Sequence, residues 1–116
     1  LLTNTAQASF LRWYYPEHYT ADADGLEAVQ AASVAELARV AEVLAAQIGD
    51  GPFLLGAQFT VADAFLATLT GWSADLSAGC RWPENPAIAA HYNAVAQREA
   101  AGRALIAEGF PATFAA

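Results

Sequence analysis

The chain has 116 residues, 56% of them hydrophobic and 15% charged, with a formal net charge of −7. That composition supplies one packed core and excludes a disordered chain, which would be poor in apolar side chains and rich in charge. The basic residues are Arg12, Arg39, Arg81, Arg98 and Arg103, scattered and without a lysine, so no basic patch is present to neutralise nucleic-acid phosphates or to hold an anionic lipid surface.

In chain order the pattern predicts four to five helices and no strand: alanine, the strongest helix former, recurs throughout, and alternating apolar and polar runs between turn residues are missing. The first helix is expected from about Leu2 to Tyr15, closed by Pro16, which disfavours helical geometry in the residue before it. Its bulky residues are Leu2, Phe10, Trp13 and Tyr14, and a polar loop bearing Tyr19 follows to Asp24. The second helix is expected to open on a capping box, Asp24-Gly25-Leu26-Glu27. Leu26, Val29, Ser33, Leu37, Val40, Leu44 and Ile48 then recur at steps of three or four, one stripe of an α-helix, ended by Gly49 and the turn Asp50-Gly51-Pro52.

The third helix is expected from Thr60 to about Ser77. Val61, Phe65, Leu66, Leu69, Trp72 and Leu76 spread around most of its circumference, the pattern of a helix inside a bundle. Asn85 and Pro86 open the fourth, as N-cap and first helical residue, with Ile88, Tyr92 and Val95 on its inner stripe. A short last helix from about Glu99 to Ala107 carries Leu105 and Ile106 toward the core, and the tail from Phe110 to Phe114 is irregular.

Thr60-x-x-Asp63 reads as a second capping box, in which the hydroxyl and the carboxylate each accept a backbone N–H that the helix start would leave orphaned. A catalytic acid or base at Asp63 is the competing reading, and the spacing to Thr60 makes it unnecessary. The surrounding residues Leu54-Leu55-Gly56 and Phe59-Thr60-Val61-Ala62-Asp63 resemble the signature of the glutathione S-transferase C-terminal domain. Phe10-Leu11-Arg12-Trp13-Tyr14-Tyr15-Pro16 is similar to the end of that domain's first helix in bacterial members. Trp82-Pro83-Glu84-Asn85-Pro86 is similar to its proline-bearing lead-in to the fourth helix, and Ala107-Glu108-Gly109 to its close. Glu99 stands where many members have proline, so the fourth and fifth helices are expected to run on with a bend near Gly102. Phe59 precedes the N-cap as in a hydrophobic staple, but its partner position holds the small Ala64.

The resemblance implies an all-α helical bundle over residues 1–116 that works beside an N-terminal thioredoxin-like domain. The chain lacks an initial methionine and opens inside a helical pattern, so that domain is expected upstream. The family's chemistry is attack of the glutathione thiolate on a small hydrophobic electrophile, with the thiolate-activating residue and most glutathione contacts in the N-terminal domain. No catalytic residue is therefore expected here, and glutathione enters only as the parent protein's co-substrate. Thr3, Gln7, Phe10 and Tyr14 fall on one stripe of the first helix at steps of four, three and four. The matching helix in the family lines the hydrophobic substrate pocket, which makes these four the candidate substrate-binding residues, with ordinary core packing (Phe10, Tyr14) and solvent exposure (Gln7) as the alternatives. A homodimer through the first two helices is also implied. A non-catalytic, transferase-like interaction module is the rival reading; an unrelated ligand-binding bundle is disfavoured by the Thr60–Asp63 segment.

His18 and His91 have no cysteine or carboxylate at metal-ligand spacing, so no metal site is expected. Cys80 is the single cysteine, which excludes an intrachain disulfide and suits a reducing cytoplasm. The alanine-rich run from Ala28 to Ile48 is interrupted by Gln30, Glu36, Arg39 and Glu42 and is no membrane span, and Leu1 to Thr5 lacks the basic start of a signal peptide.

Overall fold

The computed structural model describes residues 1–115. It is all-α, with helices α1 (Ala8–Tyr14), α2 (Leu26–Ile48), α3 (Val61–Ser73), α4 (Pro86–Ala96) and α5 (Glu99–Ala107). Among the described residues no strand forms beyond an isolated bridge between Phe53 and Gly56. No helix of the described residues is long and apolar enough to cross a membrane. The chain divides into two compact units, residues 1–42 and 43–116.

In the first unit, α1 is preceded by a π-helical stretch, Leu2–Gln7. There the N–H of Ala6 reaches the carbonyl of Leu1, five residues back, at 2.9 Å. The expected single helix thus has a wide first half and an α-helical second half. It stops at Tyr15, whose backbone leaves the helical region, and Pro16 opens a 3-10 turn to His18. The start of α2 departs from expectation. Asp22, not Asp24, is the capping carboxylate: it accepts the N–H of Asp24 at 3.0 Å and opens a 3-10 turn, Ala23–Gly25, that runs into Leu26. The Thr20 hydroxyl steadies this by accepting the N–H of Asp22 at 3.1 Å. The Gln30 side chain donates to the carbonyl of Trp13 at 2.9 Å, tying the end of α1 to α2. Ser33, Leu37 and Val40 are buried as the stripe requires.

In the second unit, α3 is shorter than expected. Beyond Ser73 the N–H groups of Ala74, Asp75 and Leu76 bond to carbonyls three residues back, a tightening that unwinds the helix. The Ser73 hydroxyl is the reason for the turn's position: it donates to the Thr70 carbonyl at 2.6 Å and accepts the N–H of the buried Trp82 at 3.1 Å. Asn85 caps α4 as expected, accepting the N–H of Ala87 at 3.0 Å. Ile88, Ala89, Tyr92 and Val95 are buried along it.

Helices α4 and α5 do not run on. Arg98 is extended (φ −72°, ψ 123°), so the chain breaks there and α5 folds back. Gly102 permits the approach: a Cβ at that position would lie 2.4 Å from the carbonyl oxygen of Ala96. Ile106, expected in the core, is 59% exposed, and Leu105 alone of that pair turns inward. Leu105 joins Ala67, Tyr92 and Val95 in a cluster against which Phe53, Phe59, Phe110 and Phe114 pack.

Candidate functional site

The Asp63 carboxylate joins three segments of the second unit. One carboxylate oxygen, Oδ2, accepts the Thr60 N–H at 2.8 Å and the Thr60 hydroxyl at 3.3 Å. The other, Oδ1, accepts the N–H of Leu54 at 2.8 Å and lies 2.9 Å from His91 Nε2. Thr60 and Asp63 form the capping box, with its strength on the aspartate side, since the N–H of Asp63 also has the Thr60 carbonyl at 3.0 Å. Leu54 belongs to a tight loop in which Phe53 and Gly56 exchange backbone hydrogen bonds of 3.0 and 3.1 Å. One carboxylate therefore fixes the loop, the start of α3 and, through His91, the middle of α4.

Burial raises the pKa of Asp63, but the bonds from Leu54, His91 and Thr60 outweigh it and leave the group below its ordinary value. Asp63 is thus ionised and accepts only, so His91 must carry its proton on Nε2. Burial holds His91 below its ordinary value, against the opposing pull of Asp63. The neutral ring then presents a bare lone pair on Nδ1, which is buried and has no hydrogen-bond partner. An aspartate–histidine pair of this kind resembles part of a proton-transfer triad, yet both side chains have no exposed surface. A base must reach the proton it removes, and Nδ1 here faces neither solvent nor a nucleophile. The pair is a structural cross-link.

Sequence reasoning assigned Asp63 to capping and missed its partner. His91 lies three residues after Ile88 and four before Val95, on the inner stripe of α4, a position that marks it for burial without naming its partner. The staple residue Phe59 likewise finds partners other than Ala64. Its ring meets Phe53 edge-on at 5.6 Å and lies under the Arg98 guanidinium at 4.1 Å.

The four candidate substrate-binding residues are placed unequally. Thr3 is exposed, Gln7 and Tyr14 are half-buried, and Phe10 is fully buried. Thr3 and Gln7 lie in the π-helical stretch, where each residue turns through a smaller angle than in an α-helix, so the stripe drifts between its two halves. At the end of α1 the aromatic residues gather: Trp13 meets Tyr14 edge-on at 5.0 Å, and Tyr15 stacks on His18 at 5.4 Å. Tyr15 and Tyr19 are each 49% exposed. A separate open groove of about 510 Å³ is lined by Ser9, Arg12, Tyr19, Val29, Ser33 and Glu36, among others, and by none of the four stripe residues. In it the Arg12 guanidinium sits 5.5 Å from the Tyr19 ring centre. Glu36 is held below its ordinary carboxylate range chiefly by its hydrogen bond with Arg39.

Among the described residues no three or more histidine, cysteine, aspartate or glutamate side chains gather to hold a metal. Cys80 is a free, half-buried thiol.

Comparison with curated proteins and with solved structures finds no match. The family model of the glutathione S-transferase C-terminal domain matches residues 27–94. That span is more than half of the chain and includes the Leu54–Asp63 segment, the Asp63–His91 cross-link and the proline-led start of α4. The chain belongs to the glutathione S-transferase C-terminal domain family.

Proposed function

We propose that this domain is the helical half of a glutathione S-transferase-like protein. Its first helix supplies one wall of the pocket for a small hydrophobic electrophile. Glutathione is the co-substrate, held and activated by a thioredoxin-like domain. Thr3, Gln7, Phe10 and Tyr14 are the wall residues of this reading: Tyr14 and Gln7 are its partly accessible members, and Phe10 is the buried support beneath them. The reaction joins the thiolate sulfur to an electrophilic carbon, and this domain positions the carbon and keeps the pocket apolar. The assembly proposed is a cytoplasmic homodimer through the first two helices, with a role in detoxification.

The observation that carries the proposal is the contrast within a chain of this family. The Asp63–His91 pair is sealed into the scaffold, while Trp13, Tyr14 and Tyr15 gather at the end of the first helix. The 116-residue chain alone should give no conjugation of glutathione to a chlorodinitrobenzene above the uncatalysed rate. The protein carrying both domains should turn over and should be dimeric by light scattering. Turnover by the isolated chain would refute the division of labour. The exposed rings of Tyr15 and Tyr19 also suit a non-catalytic interaction module, and an inactive two-domain protein would favour that reading.

A further inference from the structure

The tail after α5 is irregular in backbone but closely held. The N–H of Phe110 bonds the Leu105 carbonyl at 3.0 Å, which closes α5. The Tyr92 hydroxyl then donates to the carbonyl of Pro111 at 2.7 Å. The Asn93 side chain makes a two-pronged contact with one residue: its Nδ2 donates to the Phe114 carbonyl at 2.7 Å, and its Oδ1 accepts the Phe114 N–H at 2.8 Å. A side-chain amide used this way imitates a neighbouring β-strand, pairing with an extended backbone whatever its side chains. The side chains are read separately. The Phe114 ring meets Tyr92 edge-on at 4.6 Å. The Phe110 ring lies over Gly71, where a Cβ would come within 2.8 Å of it. Pro111, Ala112 and Thr113, between the two rings, are exposed.

We infer that the α3–α4 face formed by Gly71, Tyr92 and Asn93 is a docking site for an extended peptide of the form Phe-Pro-x-x-Phe, filled in cis by residues 110–114. Three features separate a docking site from ordinary core. Beyond the cap at Phe110, the described bonds that hold the tail come from two adjacent side chains of α4. The caps of α3 and α4 do not involve the tail. The tail offers two inward aromatic anchors with outward residues between them, the arrangement by which short peptides bind grooves: main-chain bonds for affinity and pockets for selectivity. The tail is thus a latch that occupies the face until a competing segment of the same chemistry displaces it.

The test uses a fluorescent synthetic peptide copying residues 109–115 and the full chain. In the wild type the site is filled, and binding is weak. Phe114→Ala loosens the latch without altering the face, and it should bind the peptide at least about tenfold more tightly than wild type. Adding Asn93→Leu should remove that gain. A Phe114→Ala chain with a wild-type circular dichroism spectrum that binds the peptide no better than wild type would overturn the proposal. Hydrogen exchange on the unaltered chain decides the matter even if the variants do not fold. A latch opens on its own, so the Phe114 amide should exchange at least about tenfold faster than the amides of Tyr92 and Val95 while remaining slower than an unprotected amide. Exchange at the same rate as those helical amides would show that the tail is inseparable from the core.

Discussion

Within residues 43–115 several polar side chains turn inward, onto the ends and joints of helices. Asp63, His91, Thr70 and Ser73 are all buried there, and each bonds a backbone group or another of the set. Residues 1–42 bury fewer polar side chains, Ser9 and Ser33. Their first helix begins in a π-helical stretch with no side-chain cap, and their aromatic side chains crowd the end of α1 with Tyr15 and Tyr19 half in solvent. Buried polar groups are costly to disturb, because a donor left without its acceptor bears the full desolvation penalty. Surface aromatics contribute less to stability and are free to contact a ligand or another protein. The second unit is therefore the scaffold, and the first, residues 1–42, is where substitution should alter function without unfolding the domain.

The largest effect belongs to Asp63. Replacement by alanine orphans the Leu54 and Thr60 N–H groups and the His91 Nε2–H together, so the loss in urea melts should reach at least about 3 kcal/mol. Capping alone accounts for only about 1–2 kcal/mol. A loss confined to that smaller range would mean that the loop and His91 re-bond elsewhere, and the scaffold would be less integrated than the geometry implies. His91→Leu removes a single donor and an unpartnered lone pair, and leaves Asp63 with its Thr60 and Leu54 bonds. It should cost about 1–2 kcal/mol, clearly less than Asp63→Ala.

The same pair sets a pH dependence. His91 has a folded pKa below its unfolded value of 6.5, so the unfolded chain binds more protons as pH falls through that value. The contribution is fully present above the unfolded value and is lost progressively below it. Asp63, also held below its ordinary value, adds loss in the same direction at still lower pH. Melting midpoints should fall from pH 7 toward pH 5 in the wild type and fall less steeply in His91→Leu. Equal slopes would show that His91 is not the titrating group. A smaller effect is expected at the start of α4: Asn85→Ala removes one cap bond and should cost about 1 kcal/mol in the same urea melts. A larger loss would mean that Asn85 does more than cap.

Much of this division was legible in the residues. The caps at Thr60 and Asn85, the inner stripe of α2 and the limits of α5 follow from local spacing, which is where local physics decides. The start of α2 was misplaced because Asp22 and Asp24 compete for the same role, and the Thr20 hydroxyl supports the earlier one. The break at Arg98 depends on how near α5 comes to the carbonyl of Ala96, a tertiary fact that no periodicity encodes. The Asp63–His91 cross-link spans 28 residues and was hidden because a histidine among apolar neighbours carries no local mark of its partner. On α1 the stripe of Thr3, Gln7, Phe10 and Tyr14 assumed α-helical turns throughout, and the π-helical first half displaces its members from one another.

The comparison rests finally on whether α1 chooses the substrate. Tyr14 is the decisive position, because it is half-buried at the aromatic end of α1. In the protein carrying both domains, Tyr14→Ala should raise KM for the hydrophobic electrophile several-fold and leave KM for glutathione nearly unchanged. Its melting midpoint should shift far less than that of Asp63→Ala. Equal changes in the two Michaelis constants, or a loss of stability as large as that of Asp63→Ala, would place Tyr14 in the scaffold and contradict the account.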